Sequence, residues 1–377
     1  MERRSALHLT YEAAGAKFVP HQGCLVPEVF TSVAEECAAV RGAAGVVDRS
    51  ARGFVRVSGS DHRDFLQRML SNEVKGLEPG QGNYSTLLTT QGHLVADFYV
   101  WRRDDHILLD THWSTRTRLR ETLERYVIAD DVALEDQSEQ LTALAVEGPG
   151  AAAVLEAAGA QTVPGKEFNP AAVRLGKPRT VPKLREVRGE QTPVQVAKVS
   201  ETGGEGYVLI FLTEYAQNVW DALVAARAQH GAARGWKPVG WAALNVLRTE
   251  AGIPWYGVEL GETTLPPEAG LESRALSYTK GCYVGQEIIE RIRSRGHVNR
   301  KLMGLLVAGN SVPAAGTKLL ANGKEVGEIT TAVHSPTLGR VLALGYVRRG
   351  HFTPGTRLEI PPASIAEVAS LPFFRPS

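Results

Sequence analysis

Cys282 sits in the run Lys280-Gly281-Cys282-Tyr283-Val284-Gly285-Gln286-Glu287, between a small residue and an aromatic, with a lysine two positions earlier. A lysine beside a thiol favours the thiolate, the form of cysteine that attacks electrophiles or binds metal. The glycines on either side let the backbone turn tightly or come close to a ligand. These residues also have a plainer reading, because a lone cysteine is usually a small buried hydrophobe. The other cysteines, Cys24 and Cys37, make no CxxC spacing with it. Neither a disulfide framework nor a zinc or four-thiolate cluster site within one chain follows, and no metal is expected. A reducing cytoplasm is the simplest setting.

The run resembles the signature K-G-C-Y-x-G-Q-E of the YgfZ family of folate-binding proteins, relatives of the T-protein aminomethyltransferase of the glycine cleavage system. All seven fixed positions are present. Upstream, Leu247-Arg248-Thr249-Glu250-Ala251-Gly252-Ile253-Pro254 is similar to the L-R-x-E-A-G-x-P segment of both groups, and the likeness runs in order from about Gly45 to the C-terminus. The resemblance implies tetrahydrofolate, or a one-carbon derivative of it, as cofactor. It implies iron–sulfur client or assembly proteins as partners. On this reading the chain is an accessory protein that keeps iron–sulfur enzymes functional through Cys282. A folate-dependent aminomethyl- or methyltransferase is the alternative, and a tRNA-modification protein a second one.

The same resemblance nominates ligand contacts. Gln91-Gly92-His93-Leu94-Val95-Ala96-Asp97 is similar to the T-protein G-G-x-x-x-D segment, whose acid lies at the reactive end of the folate, so Asp97 takes that place. Thr202-Gly203-Gly204-Glu205-Gly206-Tyr207 resembles T-G-E-x-G-F/Y, with Glu205 the nearest match to the pteridine-holding glutamate at a spacing one residue shorter. Tyr84 matches a tyrosine ahead of the first segment, and Arg248 supports the pocket or reaches the folate tail. In the signature, Lys280 is expected to lower the Cys282 pKa and Glu287 to move protons if the turn folds back. Tyr283 and Gln286 are expected to position the loop that Gly281 and Gly285 shape. The thiolate could form a transient thiohemiaminal, accept sulfur, or lend one ligand to a shared cluster. Two departures from the T-protein pattern stand out. Ala96 replaces the first of its paired acids, and its A-R-D run reads Ala243-Leu244-Asn245.

Elements that could position these residues follow from periodicity. Phe54–Val57 reads as a strand, and Phe65, Leu66, Met69 and Leu70 form the inner face of a helix after it. Strands are expected at about 84–89, 94–101 and 107–110. A helix through Leu119, Leu123 and Tyr126 follows them. An internal repeat appears: Val57-Ser58-Gly59-Ser60 is echoed by Val146-Glu147-Gly148-Pro149, and the stretch 107–126 by 207–227. Two related α+β modules account for this. After the signature come short β-rich stretches, with Asn322-Gly323 the strongest hairpin turn, which suggests a small barrel. The expected architecture is α+β: a module over 20–140, a second over 141–299 carrying the signature, and a C-terminal β-barrel over 300–377, around a central folate cleft with Cys282 at its rim. Residues 1–20 show no periodicity and read as a loosely held arm. Prolines between 160 and 194 read as edge strands and loops.

With 377 residues the chain exceeds one hydrophobic core. A net charge of +1 gives no global pull toward nucleic acid or membrane. No stretch reaches the roughly 20 apolar residues that span a bilayer. The basic run Arg291, Arg293, Arg295, Arg300 and Lys301 alternates with apolar residues and reads as the solvated face of a strand. Contact with tRNA, an acidic protein or a folate polyglutamate tail is its functional reading.

Overall fold

The computed structural model describes residues 2–176, 191–229 and 235–375. Two sheets with matching strand order form its centre. In the first, strands Gly82–Leu88, Leu94–Arg102, Ile107–His112, Arg52–Ser58 and Ala133–Asp136 lie side by side in that order. In the second the order is Ala171–Leu175, Thr192–Lys198, Gly206–Leu212, Leu141–Glu147, Gly45–Asp48 and Lys237–Val239. Every pairing is antiparallel except the last, where Lys237–Val239 runs parallel to Gly45–Asp48.

The repeat seen in the sequence is built on two glycine corners. Strand Arg52–Ser58 ends at Gly59 (φ 106) before helix His62–Met69. Strand Leu141–Glu147 ends at Gly148 (φ 115) before helix Ala151–Ala157. A Cβ would lie 2.1 Å from the Asp131 carbonyl oxygen at the first corner and 2.4 Å from that of Val40 at the second. Both the backbone angle and the close approach therefore demand glycine. Each module closes alike: Ile107–His112 leads through one short 3₁₀ turn into helix Arg116–Glu124, and Gly206–Leu212 through another into Ala216–Gln229. Phe65, Leu66, Leu119 and Leu123 pack one sheet's core, and Val154, Leu155, Val219 and Leu223 the other's.

Six strands, Arg300–Val307, Arg340–Arg348, Lys324–Ser335, Lys318–Ala321, Arg357–Ile360 and Ser364–Ala369, close into a barrel. Asn322 (φ 51) and Gly323 (φ 72) turn the chain within it, with the paired positive angles of a type I′ hairpin. A central apolar cluster draws on all parts: Phe54 and Trp101 from the first sheet, Ala143 and Val208 from the second, Leu244 and Leu247 from helix Trp241–Ala251, and Leu342 from the barrel.

Two expectations need correction. The N-terminal arm is bound: Leu7 and Tyr11 are buried in the second core, Tyr11 meets Trp220 edge-on at 5.2 Å, and Arg3 donates to the Ser138 carbonyl at 2.6 Å. The basic run is not a strand; helix Gln286–Arg295 covers most of it and a strand begins only at Arg300. Ile289 and Ile292, three apart, fit a helical face. Gly285 and Gly296, both with positive φ, bound that helix. Within 160–194, Ala171–Leu175 is an edge strand, while 177–190 falls outside the described residues.

Candidate functional site

Asp97 rises from strand Leu94–Arg102, which is buried along its whole length. Thr86 of the neighbouring strand pairs with it directly, so Tyr84 is its diagonal neighbour. The Tyr84 hydroxyl donates to Asp97 Oδ2 at 2.7 Å, and His112 Nε2 lies 3.7 Å from the same oxygen. Asp97 is 4% exposed, and its Oδ1 has no hydrogen-bond partner among the described residues. Burial pushes this carboxyl up, but His112, the Tyr84 hydroxyl and Arg52 outweigh it and hold the group below the usual carboxylate range. A buried carboxylate with one unpartnered oxygen results, with the capacity to accept a further hydrogen bond.

Arg274 connects this pair to open space. Its guanidinium lies 4.8 Å from the Tyr84 ring centre and 5.8 Å from that of Tyr99. It also lines a cavity of about 690 Å³ between the modules, with Asn72 and Asn83 on one side and Lys198, Ser200 and Gly203 on the other. That volume suits a drug-sized ligand. Asn72 Nδ2 donates to the carbonyls of Tyr84 at 2.9 Å and Arg274 at 3.1 Å, so cavity wall and acid cluster are held together.

Glu205 occupies other surroundings. Its carboxylate accepts from the Tyr207 hydroxyl at 2.7 Å and lies 3.8 Å from Lys198 Nζ. It lines a smaller cavity of about 390 Å³ with Arg41 and Phe374, and Gly203 and Gly204 form a wall common to both cavities. An acid that the sequence reading did not single out, Glu201, shares the neighbourhood of Asp97. It is 7% exposed and forms a two-pronged ion pair with Arg49. Burial pushes its carboxyl up, while Arg49 and Arg52 pull it lower on balance. Arg52 and His112 act on both Glu201 and Asp97. Its place directly before Thr202-Gly203-Gly204 was a usable signal; nothing marked Arg49 or Arg52.

Arg248 is consumed by structure. Its guanidinium donates to Glu259 at 2.6 Å, Thr331 at 2.8 Å and Asn245 at 2.9 Å, and stacks 4.4 Å from the Trp255 ring centre. It joins its helix to the barrel.

The signature loop packs on the first module. Lys280 Nζ donates to the carbonyls of Leu70 at 2.6 Å and Asn72 at 2.9 Å rather than to Cys282. Burial lowers its ammonium to about 8, against the opposing pull of Glu73. Gly285 (φ 82) stands where a Cβ would come within 2.5 Å of the Thr89 carbonyl oxygen, so helix Gln286–Arg295 starts against the hairpin turn that leads into the Asp97 strand. Tyr283 is buried and its backbone N–H donates to Gln286 Oε1 at 3.3 Å. Glu287 turns along its own helix to Arg291, 2.7 Å away. Gly281 has open space around it. Cys282 is exposed, whereas Cys24 and Cys37 are buried.

Residues 7–279 match the GCVT N-terminal domain family, and residues 300–375 the glycine cleavage T-protein C-terminal barrel domain. The chain belongs to the glycine cleavage T-protein family. Relatives of this T-protein family member include proteins named aminomethyltransferase from Bacillus subtilis, 30% identical over 379 residues and 100% of both chains, and from Streptomyces coelicolor, 31% identical over 383 residues, covering 99% of this chain and 98% of that one. The crystal structure of the glycine cleavage system aminomethyltransferase T from Bartonella henselae has the same fold, with a TM-score of 0.85 at 24% identity over 100% of this chain and 99% of that one. The comparisons thus reach the T-protein superfamily, and the narrower YgfZ likeness rests on the Lys280–Glu287 run. Among the described residues no helix is long and apolar enough to cross a membrane.

Proposed function

We propose that this chain is a tetrahydrofolate-dependent one-carbon transferase of the aminomethyltransferase kind. The observation that carries the reading is the unpartnered Oδ1 of Asp97, buried beside Tyr84, whose ring lies against Arg274 in the wall of the 690 Å³ cavity. The residues fit the cofactor: the unpartnered oxygen can accept from a pterin N–H, Phe168 offers an aromatic wall, and Lys198 and Arg274 suit the carboxylates of the glutamyl tail. Tetrahydrofolate, when bound, supplies the nitrogen that carries the one-carbon unit. Asp97 would hold and orient it, with Tyr84 fixing the carboxylate and Arg52 and His112 keeping it ionised. The deciding experiment is an assay with tetrahydrofolate and a lipoylated aminomethyl carrier. Turnover lost in Asp97→Asn supports the reading, and absence of turnover in the native chain overturns it.

One observation favours a second reading. Cys282 is exposed within a complete K-G-C-Y-x-G-Q-E run, where aminomethyl transfer has no need of a thiol, and Ala96 and Leu244 depart from the T-protein pattern. On that reading the chain is a YgfZ-type folate-binding protein that supports iron–sulfur enzymes. Robust aminomethyl turnover that survives Cys282→Ala would remove it. Folate binding without turnover, together with loss of client iron–sulfur activity in Cys282→Ala, would favour it.

A further inference from the structure

The basic run has a destination that the folate reading does not use. Beyond the C-terminal end of helix Gln286–Arg295 lies a cavity of about 620 Å³, and it shares no lining residue with the cavity at Arg274. Four groups able to carry positive charge line it, Arg293, His297, Lys301 and Arg349, against one carboxylate, Glu272. Arg293 is already placed, 4.4 Å from the Tyr278 ring centre and 3.5 Å from Glu290 Oε2. Among the described residues Lys301 and Arg349 pair with no carboxylate. His297 Nδ1 faces the Arg295 carbonyl at 2.9 Å, which leaves Nε2 for another partner. Uncompensated cations collected on one concave surface raise its potential and draw an anion there.

The remaining walls are apolar. Tyr278 and Phe352 bring rings, and Ile292 and Val298 bring aliphatic surface. The volume lies in the range of single small ligands rather than that of an extended chain. Guanidinium, imidazole and ammonium donors arriving from the helix end, the following turn, one barrel strand and the turn after another suit a group with several anionic oxygens. The geometry points to a binding site for a phosphate monoester with an aromatic body, a ligand of mononucleotide size, separate from the folate cavity. The phosphate lies between Lys301, Arg349 and His297, and the ring body lies along Tyr278 and Phe352.

The test is calorimetric titration of the full chain with AMP at low salt. Native protein should bind it, and the double variant Lys301→Glu/Arg349→Glu should bind at least roughly tenfold more weakly, as should native protein in high salt. Both side chains are exposed, so an unchanged melting temperature will show that the double variant is folded. The charge-keeping variant Lys301→Arg should retain binding. Tetrahydrofolate binding should be the same in native and doubly reversed protein, which keeps this inference distinct from the function proposed above. No heat from AMP at millimolar concentration, or AMP binding indifferent to the double reversal, overturns the inference. So does loss of tetrahydrofolate binding in the double variant, tighter binding of tetraglutamate than of AMP, or binding of single-stranded RNA without binding of AMP.

Discussion

The Tyr84 hydroxyl and the Asp97 carboxylate meet at 2.7 Å across neighbouring strands, and the bond occupies one carboxylate oxygen while the other is buried without a partner among the described residues. This divides the work of the two residues. Asp97→Asn keeps the shape but removes the charge, and a lost charge-assisted hydrogen bond of about 2–3 kcal/mol corresponds to roughly a hundredfold in kcat/KM. Tyr84→Phe should cost less. Because the hydroxyl helps hold the carboxyl low, its removal should move the acid limb of the pH–rate profile to higher pH. Measured kcat/KM against pH checks both. An acid limb unmoved in Tyr84→Phe would separate the tyrosine from the reacting group.

Thiol reagents should discriminate sharply among the three cysteines. Burial pushes the Cys24 thiol up to about 11 and that of Cys37 up to about 12, whereas Cys282 is exposed. One thiol per folded chain should react with a disulfide reagent at neutral pH, and Cys282→Ala should abolish that fast phase. Because the side chain is exposed, the substitution should leave stability within about 0.5 kcal/mol. Fast labelling of two thiols would mean that a buried cysteine opens readily.

How far the sequence revealed this arrangement depends on how local each cause is. The corners at Gly59 and Gly148 were legible because a glycine between an alternating stretch and a helical stretch has a local meaning, and the sheets they start have matching order. The Asn322-Gly323 hairpin was legible for the same reason. Asp97 could be singled out only through family resemblance, since its burial depends on strands that contribute Tyr84 and His112 from elsewhere in the chain. Arg49 and Arg52 carried no local mark, and Glu201 only its place before Thr202-Gly203-Gly204; the ion pairs these residues make span more than fifty residues. The helix at Gln286–Arg295 was hidden because charges dominate its composition, and its packing face is narrow, with Ile289 alone fully buried.

Arg248 illustrates a residue in a shared motif whose visible contacts are structural. Its ion pair with Glu259 is almost wholly buried, and Glu259 also accepts from Thr331 and from the Trp255 backbone. Removing one partner of such a pair leaves an uncompensated buried charge, at a cost of about 3–5 kcal/mol. Arg248→Ala should therefore lower the denaturation midpoint strongly. The double change Arg248→Met/Glu259→Met should recover much of the loss, because neither charge is then stranded. Chemical denaturation of the three variants checks this. A mild single-variant effect combined with weakened folate affinity would instead return Arg248 to the ligand.

Glu147 should make stability depend on pH in an unusual direction for a carboxylate. It is 1% exposed and accepts from Ser200 Oγ at 2.7 Å, Thr202 Oγ1 at 2.9 Å and the Glu201 backbone N–H at 3.1 Å, in the loop that lines both cavities near Gly203. Burial raises it to about 7, with the Glu201 charge adding to the rise and the three hydrogen bonds opposing it. The folded chain then binds a proton that the unfolded chain has released between about pH 4.5 and 7, so this group's contribution falls as pH rises through that window and levels off above it. Glu147→Gln removes the titration and keeps an acceptor. The variant should gain on the native protein as pH rises from 5 to 8, read as the difference between their melting temperatures. A difference that is flat, or that favours the native chain at higher pH, would show that Glu147 is ionised throughout and that Ser200 and Thr202 hold it so.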